Sequence, residues 1–162
     1  MPDKICLFPG TFDPMTLGHE DIINRAIPLF DKVIVGIGVN TSKKPMFSTE
    51  QRLQWIKDIY GHSDKVEGAV YEGLTVNFCK KIGAKFILRG IRYVSDFEYE
   101  KTIADANRAL DKEIETVFLT GEPKYTSVAS TIVRDIIKNG GNASPFLSKV
   151  VCDSLKDNLP FE

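Results

Sequence analysis

Cysteine is scarce: the chain has Cys6, Cys79 and Cys152, odd in number and far apart. No CxxC pair or zinc-ligand spacing links them, which excludes a disulfide framework and a cysteine-based zinc site. Each lies in an apolar stretch, so all three are expected to be buried free thiols of a reducing compartment. Histidine is scarcer still, with His19 and His62 alone. No Ser-His-Asp set, reactive cysteine or other covalent nucleophile is visible. Neither sign of charge is in excess, 21 Lys+Arg against 22 Asp+Glu, so the overall basic footprint of a nucleic-acid binder is missing. Long apolar runs are absent too. The first, residues 5–8, ends at Pro9 and is too short for a membrane span or a signal peptide. The expectations are a cytoplasmic protein with neither nucleic acid nor membrane as partner.

What is present is enough for a core. With 162 residues and 43% hydrophobic content, one globular domain over residues 1–162 is expected. No linker, repeat or low-complexity tract interrupts it. Apolar, β-rich runs at 5–8, 33–39, 66–71, 86–90 and 115–119 alternate with helical patterns. The strongest runs are apolar on both alternating faces, as strands covered on both sides should be. Residues 17–30 carry one apolar stripe, with Pro28 expected to end or kink the helix. Ser48 with Gln51, and Ser95 with Glu98, read as capping boxes opening helices through Ile59 and to about Leu110. Further helices are expected at 74–82, 127–138 and 146–157, the last two separated by Asn139, Gly140, Gly141 and Asn142. The fold class is therefore α/β, a single Rossmann-like domain with a five-stranded parallel sheet and helices on both faces.

In such sheets ligands bind beyond the carboxyl ends of the strands. After the first run the sequence reads GTFDPMTLGH, residues 10–19. This is a strand-to-helix turn with neither the dinucleotide nor the P-loop glycine spacing. The later exits carry Lys43 and Lys44; Glu72, Gly73 and Thr75; Arg89 and Arg92 around Gly90 and Ile91; and a hydroxyl-rich stretch at 125–131. The opposite ends, around Asp31, His62 and Lys85, show ordinary mixed charge. Taken singly, Thr16 reads equally as a helix cap, Lys43 and Lys44 as a solvated loop, and Ser127, Ser130 and Thr131 as caps. Cations, hydroxyls and glycines gathered at one sheet edge of a near-neutral chain point instead to a multiply anionic small ligand. Helix starts near residues 17 and 127 offer free N–H groups to phosphate. Lysine offers a mobile charge and arginine a forked clamp. Phosphoryl or nucleotidyl transfer fits this inventory, because the substrate supplies the attacking oxygen.

The T-x-G-H at residues 16–19 resembles the (H/T)xGH signature of the nucleotidyltransferase superfamily. Together with SKKPMF (42–47), ILRGIRYVSDFEYE (87–100) and the STxxR at 130–134, the chain is similar along its whole length to the bacterial phosphopantetheine adenylyltransferases. The resemblance implies transfer of AMP from ATP to 4′-phosphopantetheine, giving dephospho-CoA and pyrophosphate by in-line displacement. It implies that His19 stabilises charge on the α-phosphate, with Lys43 and Arg92 as further catalytic groups. Thr11 would orient the attacking phosphate and touch ATP, Lys43 and Arg89 would bind the acceptor phosphate, and Thr75 would meet the pantetheine side through its backbone. The ATP site would comprise Thr11, Phe12, His19, Gly90, Ile91, Arg92, Glu100, Tyr125, Thr126, Ser127, Val128, Ala129, Ser130 and Thr131. Mg²⁺ is implied as the counter-ion of ATP, with no side chain assigned to it. A homohexamer of two stacked trimers and feedback inhibition by CoA are implied likewise. Two positions depart from the pattern: Leu17 stands where asparagine is usual, and Ala129 where serine is usual, so Ala129 keeps only a backbone role. The rival readings are a transferase acting on nicotinamide mononucleotide or glycerol phosphate, and a non-catalytic nucleotide-binding module with a flavodoxin-like sheet.

Overall fold

The apolar runs around Leu7 and Val35 become the buried centre of one sheet. In this computed structural model, which describes residue 1 and residues 3–156, β1 (Ile5–Gly10) and β2 (Lys32–Val39) lie inside the sheet. β3 (Val66–Glu72), β4 (Phe86–Ile91) and β5 (Glu115–Thr120) complete it, in the order β3-β2-β1-β4-β5 with every pairing parallel. The helices are α1 (Leu17–Ala26), α2 (Thr49–Tyr60), α3 (Thr75–Ile82), α4 (Val94–Leu110), α5 (Ser130–Lys138) and α6 (Lys149–Lys156). Side chains of alternate parity serve the two faces. Cys6, Phe8, Val33 and Val35 pack with Ile23 of α1, Trp55 of α2, Val133 of α5 and Val151 of α6. Leu7, Ile34 and Ile87 pack with Val76 and Cys79 of α3. Phe97 of α4 meets Phe118 of β5 edge to face at 5.6 Å.

The five strands fall where the apolar runs lie, each extended by a residue or two. The helix ends differ more. α1 stops at Ala26, two residues before Pro28, rather than running to 30. The expected box of Ser95 with Glu98 does not cap α4. The N-cap is Tyr93, two residues earlier, and the Asp96 carboxylate accepts the N–H groups of Arg92 (2.9 Å) and Tyr93 (3.1 Å). Ser48 does cap α2, accepting from the Gln51 N–H at 3.1 Å. α5 starts at Ser130 rather than 127, because a 3₁₀ turn at Pro123–Tyr125 and a further turn at 126–127 precede it. α6 starts at Lys149 rather than 146, after a 3₁₀ turn at Ser144–Phe146 containing Pro145. Residue 157, expected to end that helix, lies outside the described residues. Cys6 and Cys79 are buried free thiols, pushed up to about 12 and about 11 by burial. Cys152 is only half-buried, which corrects the expectation of full burial for all three. Among the described residues no helix is long and apolar enough to cross a membrane.

The chain runs outward from β1 to β3, then crosses back to β4 on the other side of β1. That reversal is a switch point, where the loops at the strand ends part and leave a crevice. The β1–β4 ladder pairs only Cys6 with Phe86 and Leu7 with Ile87. The β1–β2 ladder continues to Gly10. The carboxyl ends of β1 and β4 therefore diverge, and the candidate site opens between them.

Candidate active site

A cavity of about 630 Å³ lies at these strand ends. Its floor is the turn from β1 into α1. Phe12 takes a positive φ of 47° there, and the Asp13–Pro14 peptide is cis. The Phe12 ring is buried against Phe8 at 5.3 Å and against the His19 imidazole at 4.9 Å, edge to face in both contacts.

His19 is the third residue of α1, and Thr16 is the N-cap. The Thr16 hydroxyl accepts the His19 backbone N–H at 3.4 Å, while the Thr16 backbone N–H donates to His19 Nδ1 at 3.1 Å. A ring nitrogen that accepts from an amide carries no proton, so a neutral imidazole here holds its proton on Nε2. Burial, then the positive charges of Arg89 and Arg92, lowers the ring from the ordinary imidazole range to about 4. His19 is thus a neutral N–H donor at neutral pH, not an imidazolium. Thr16 is both the cap that its bland reading proposed and the group that sets the tautomer. Gly18 faces the far wall, where a Cβ would make ordinary contact with the Val128 carbonyl oxygen at 3.4 Å.

β4 brings the arginines. Arg89 forms a bidentate pair with Glu100 of α4, Nε to Oε2 and Nη2 to Oε1, both 2.7 Å. Its Nη1 also donates to the Pro9 carbonyl at 2.5 Å, across the gap where the ladder has ended. The guanidinium plane is fixed by three bonds, and the remaining N–H groups are left for a ligand. Glu100, buried at 8% exposure, is engaged with Arg89. It lines the cavity as expected, and its carboxylate also holds the arginine. Arg92 leans on Asp96 (3.6 Å) and reaches the Val128 carbonyl (3.4 Å).

The opposite wall is the start of α5. Ser130 donates its hydroxyl to the Pro14 carbonyl at 3.0 Å, and Arg134 donates to the Asp13 carbonyl at 2.8 Å. Both fasten α5 to the histidine turn. Ala129 is the N-cap and makes no side-chain cap bond, in keeping with a backbone-only role.

Of the residues expected from sequence, the cavity is lined by Thr11, Phe12, His19, Lys43, Arg89, Gly90, Ile91, Arg92, Glu100, Tyr125, Val128, Ala129, Ser130 and Thr131. Thr75, Thr126 and Ser127 do not line it. Thr75 is the first residue of α3, and its hydroxyl bonds that of Tyr71 at 3.0 Å. Lys44 is exposed and does not line it either. Arg134, Tyr99 and Asp96, which the quoted strings contain without an assigned role, and Asp21, outside those strings, also line it. Arg134 had a signal, since it follows Ser130 by four residues and shares its helix face. The cleft carboxylates are engaged: Asp21 with Arg25 and the Glu122 N–H, Asp96 with Arg92, Glu100 with Arg89. Among the described residues no group of three acidic, histidine or cysteine side chains is placed to hold a metal ion. The site therefore presents guanidinium groups, a lysine, a helix start and one neutral imidazole N–H to a polyanion.

The sequence profile of the cytidylyltransferase-like family matches residues 7–136. A phosphopantetheine adenylyltransferase of Flavobacterium psychrophilum is 53% identical over 145 residues, covering 90% of this chain and 95% of that protein. A phosphopantetheine adenylyltransferase of Leuconostoc citreum is 47% identical, covering 96% and 99%. Among solved structures, a bifunctional NMN adenylyltransferase/ADP ribose pyrophosphatase from Francisella tularensis matches with a TM-score of 0.68. It is 22% identical and covers 90% of this chain and 45% of that one, a likeness of fold.

Proposed function

The chain belongs to the cytidylyltransferase-like family, among its phosphopantetheine adenylyltransferases, and on that premise we propose how its cleft carries out the transfer. The enzyme joins ATP and 4′-phosphopantetheine to give dephospho-CoA and pyrophosphate. The acceptor phosphate lies against Lys43, Arg89 and Thr11. The nucleotide lies against the turn after β4 and the start of α5, with its phosphates toward Arg92 and the start of α1. An oxygen of the acceptor phosphate attacks the α-phosphorus in line. The bond to the bridging oxygen breaks, and pyrophosphate leaves with that electron pair.

The observation that carries this reading is the His19 geometry. With Nδ1 held by the Thr16 N–H, the Nε2–H is the donor left for the α-phosphate. A neutral donor suits this step, because charge shifts onto the equatorial oxygens only as the bond forms and a fixed dipole needs no reorganisation then. Arg92 serves the departing charge and Lys43 the entering one. A mechanism built from position and charge needs no covalent enzyme intermediate. Thr75, outside the cavity, meets the pantetheine arm through its backbone.

Mg²⁺ enters with ATP. The engaged state of Asp21, Asp96 and Glu100 fits an ion held by phosphate and water rather than by a carboxylate cage. When bound it neutralises phosphate charge. The resemblance also supports a cytoplasmic location, feedback inhibition by CoA and assembly as a homohexamer.

A nicotinamide mononucleotide acceptor is the runner-up, and it rests on a likeness of fold alone. Incubation of the chain with ATP and each acceptor in turn distinguishes the two. Phosphopantetheine should give equimolar dephospho-CoA and pyrophosphate. Turnover with nicotinamide mononucleotide and none with phosphopantetheine would refute the assignment.

A further inference from the structure

Two buried charged residues near the cleft have no part in the scheme so far. Asp13 is 4% exposed and Arg52 is 3% exposed. Asp13 lies in the histidine turn, yet its carboxylate points away to the loop between β2 and α2. One oxygen accepts the Met46 N–H at 2.9 Å and the other accepts the Phe47 N–H at 2.9 Å. Arg52 of α2 completes the link. It donates Nη1 to the Thr11 carbonyl at 2.8 Å and Nε to the Phe47 carbonyl at 3.1 Å. Burial lowers the Arg52 guanidinium, and the neighbouring Asp13 charge works against that shift.

The loop they clamp carries Lys43. Its first half is shaped from within: Asn40 Oδ1 accepts the Ser42 N–H (2.9 Å) and hydroxyl (2.6 Å), and the Lys43 N–H donates to the Asn40 carbonyl (3.2 Å). That half is exposed. Only the second half is tied, through Asp13 and Arg52, to the turn that holds Thr11 and His19. Lysine has a long flexible stem, so where its ammonium sits depends on where its backbone is anchored.

We infer that Asp13, with Arg52 as a second strut, is a positioning residue for the acceptor phosphate: it fixes the Lys43 loop against the histidine turn and so sets the approach of the attacking oxygen. The inference rests on the reading of Lys43 as a ligand of that phosphate. A general loop staple would change stability and both substrates alike. A positioning residue acting through Lys43 changes the acceptor selectively, because no other side chain of that loop lines the cavity.

The test is a double-mutant cycle with Asp13→Asn and Lys43→Ala, in which each substrate is varied with the other saturating. Asparagine keeps the size and one acceptor oxygen but turns an N–H group toward one of the two amides. Asp13→Asn should lower kcat/KM for phosphopantetheine about tenfold, since small misplacements of a reacting group are costly. KM for ATP should stay within about twofold. Added to Lys43→Ala, Asp13→Asn should cost less than about a further twofold, because the single variants act through one group. Additive losses, or equal losses on both substrates, overturn the inference. Lys43→Ala with an unchanged phosphopantetheine KM overturns instead the reading of Lys43 beneath it. If Asp13→Asn does not fold, Arg52→Lys, which keeps the charge but loses the fork between Thr11 and Phe47, carries the same cycle.

Discussion

At the scale of the residue, a single amide does much to decide the chemistry of His19. The Thr16 N–H bonded to Nδ1 is a backbone group, and the Thr16 hydroxyl, 3.1 Å from the same nitrogen, caps the helix start that places it. Burial and two arginines keep the ring neutral, and the Phe12 ring limits its movement from one side. An interaction of this kind contributes mainly in the transition state, where the charge on the α-phosphate is redistributed. His19→Ala should therefore lower kcat by about a thousandfold or more, with the dissociation constant for ATP, measured by calorimetry, changed only a few-fold. A fall in ATP affinity matching the fall in kcat would make His19 a binding group instead. The TxGH string was legible in the sequence because its residues act over three positions. The clamp of Asp13 and Arg52 was not. Its bonds span 33, 34 and 41 residues, and a buried carboxylate in a turn looks the same in sequence as a solvated one.

At the scale of the element, strands were easier to read than helix ends. A buried parallel strand needs apolar residues on both faces, and β1 and β2 show that without a partner having to be known. Helix starts depend on which of several polar groups wins the free amides. In α4 the Asp96 carboxylate reached the Arg92 and Tyr93 N–H groups, and the box two residues later was left unused. Serine and glutamate at the right spacing gave the expectation, while a charged acceptor closer to the true start decided the outcome. α4 also carries two loads. Glu100 faces inward and holds Arg89, while Val94, Ile103 and Leu110 are exposed. Apolar side chains left uncovered on a long helix are what an interface between copies would bury. They support the hexamer proposed from the family resemblance. Sedimentation equilibrium should then give six times the chain mass, and a monomer mass across micromolar concentrations would remove that proposal.

At the scale of the whole molecule, near-neutral overall charge hides a local gathering of cationic side chains. Lysines, arginines and carboxylates almost cancel over the chain, yet Lys43, Arg89, Arg92 and Arg134 all meet one cavity beside a neutral imidazole. Glu100 and Asp96 pair with Arg89 and Arg92, and Asp21 with Arg25, so the cations are oriented as well as gathered. The sheet order explains the focus, because reversal of direction at β1 brings the exits of β1 and β4 together and sets the start of α5 across from them. In the scheme proposed, this arrangement transfers AMP directly from ATP to the acceptor by position and charge, with no covalent stage on the enzyme. The most direct measurement uses ATP made chiral at the α-phosphorus as a phosphorothioate, with phosphopantetheine as acceptor, and reads the configuration of the dephospho-CoA formed. One in-line displacement predicts inversion. Retention would mean two displacements through an enzyme-bound nucleotide, and would contradict the account.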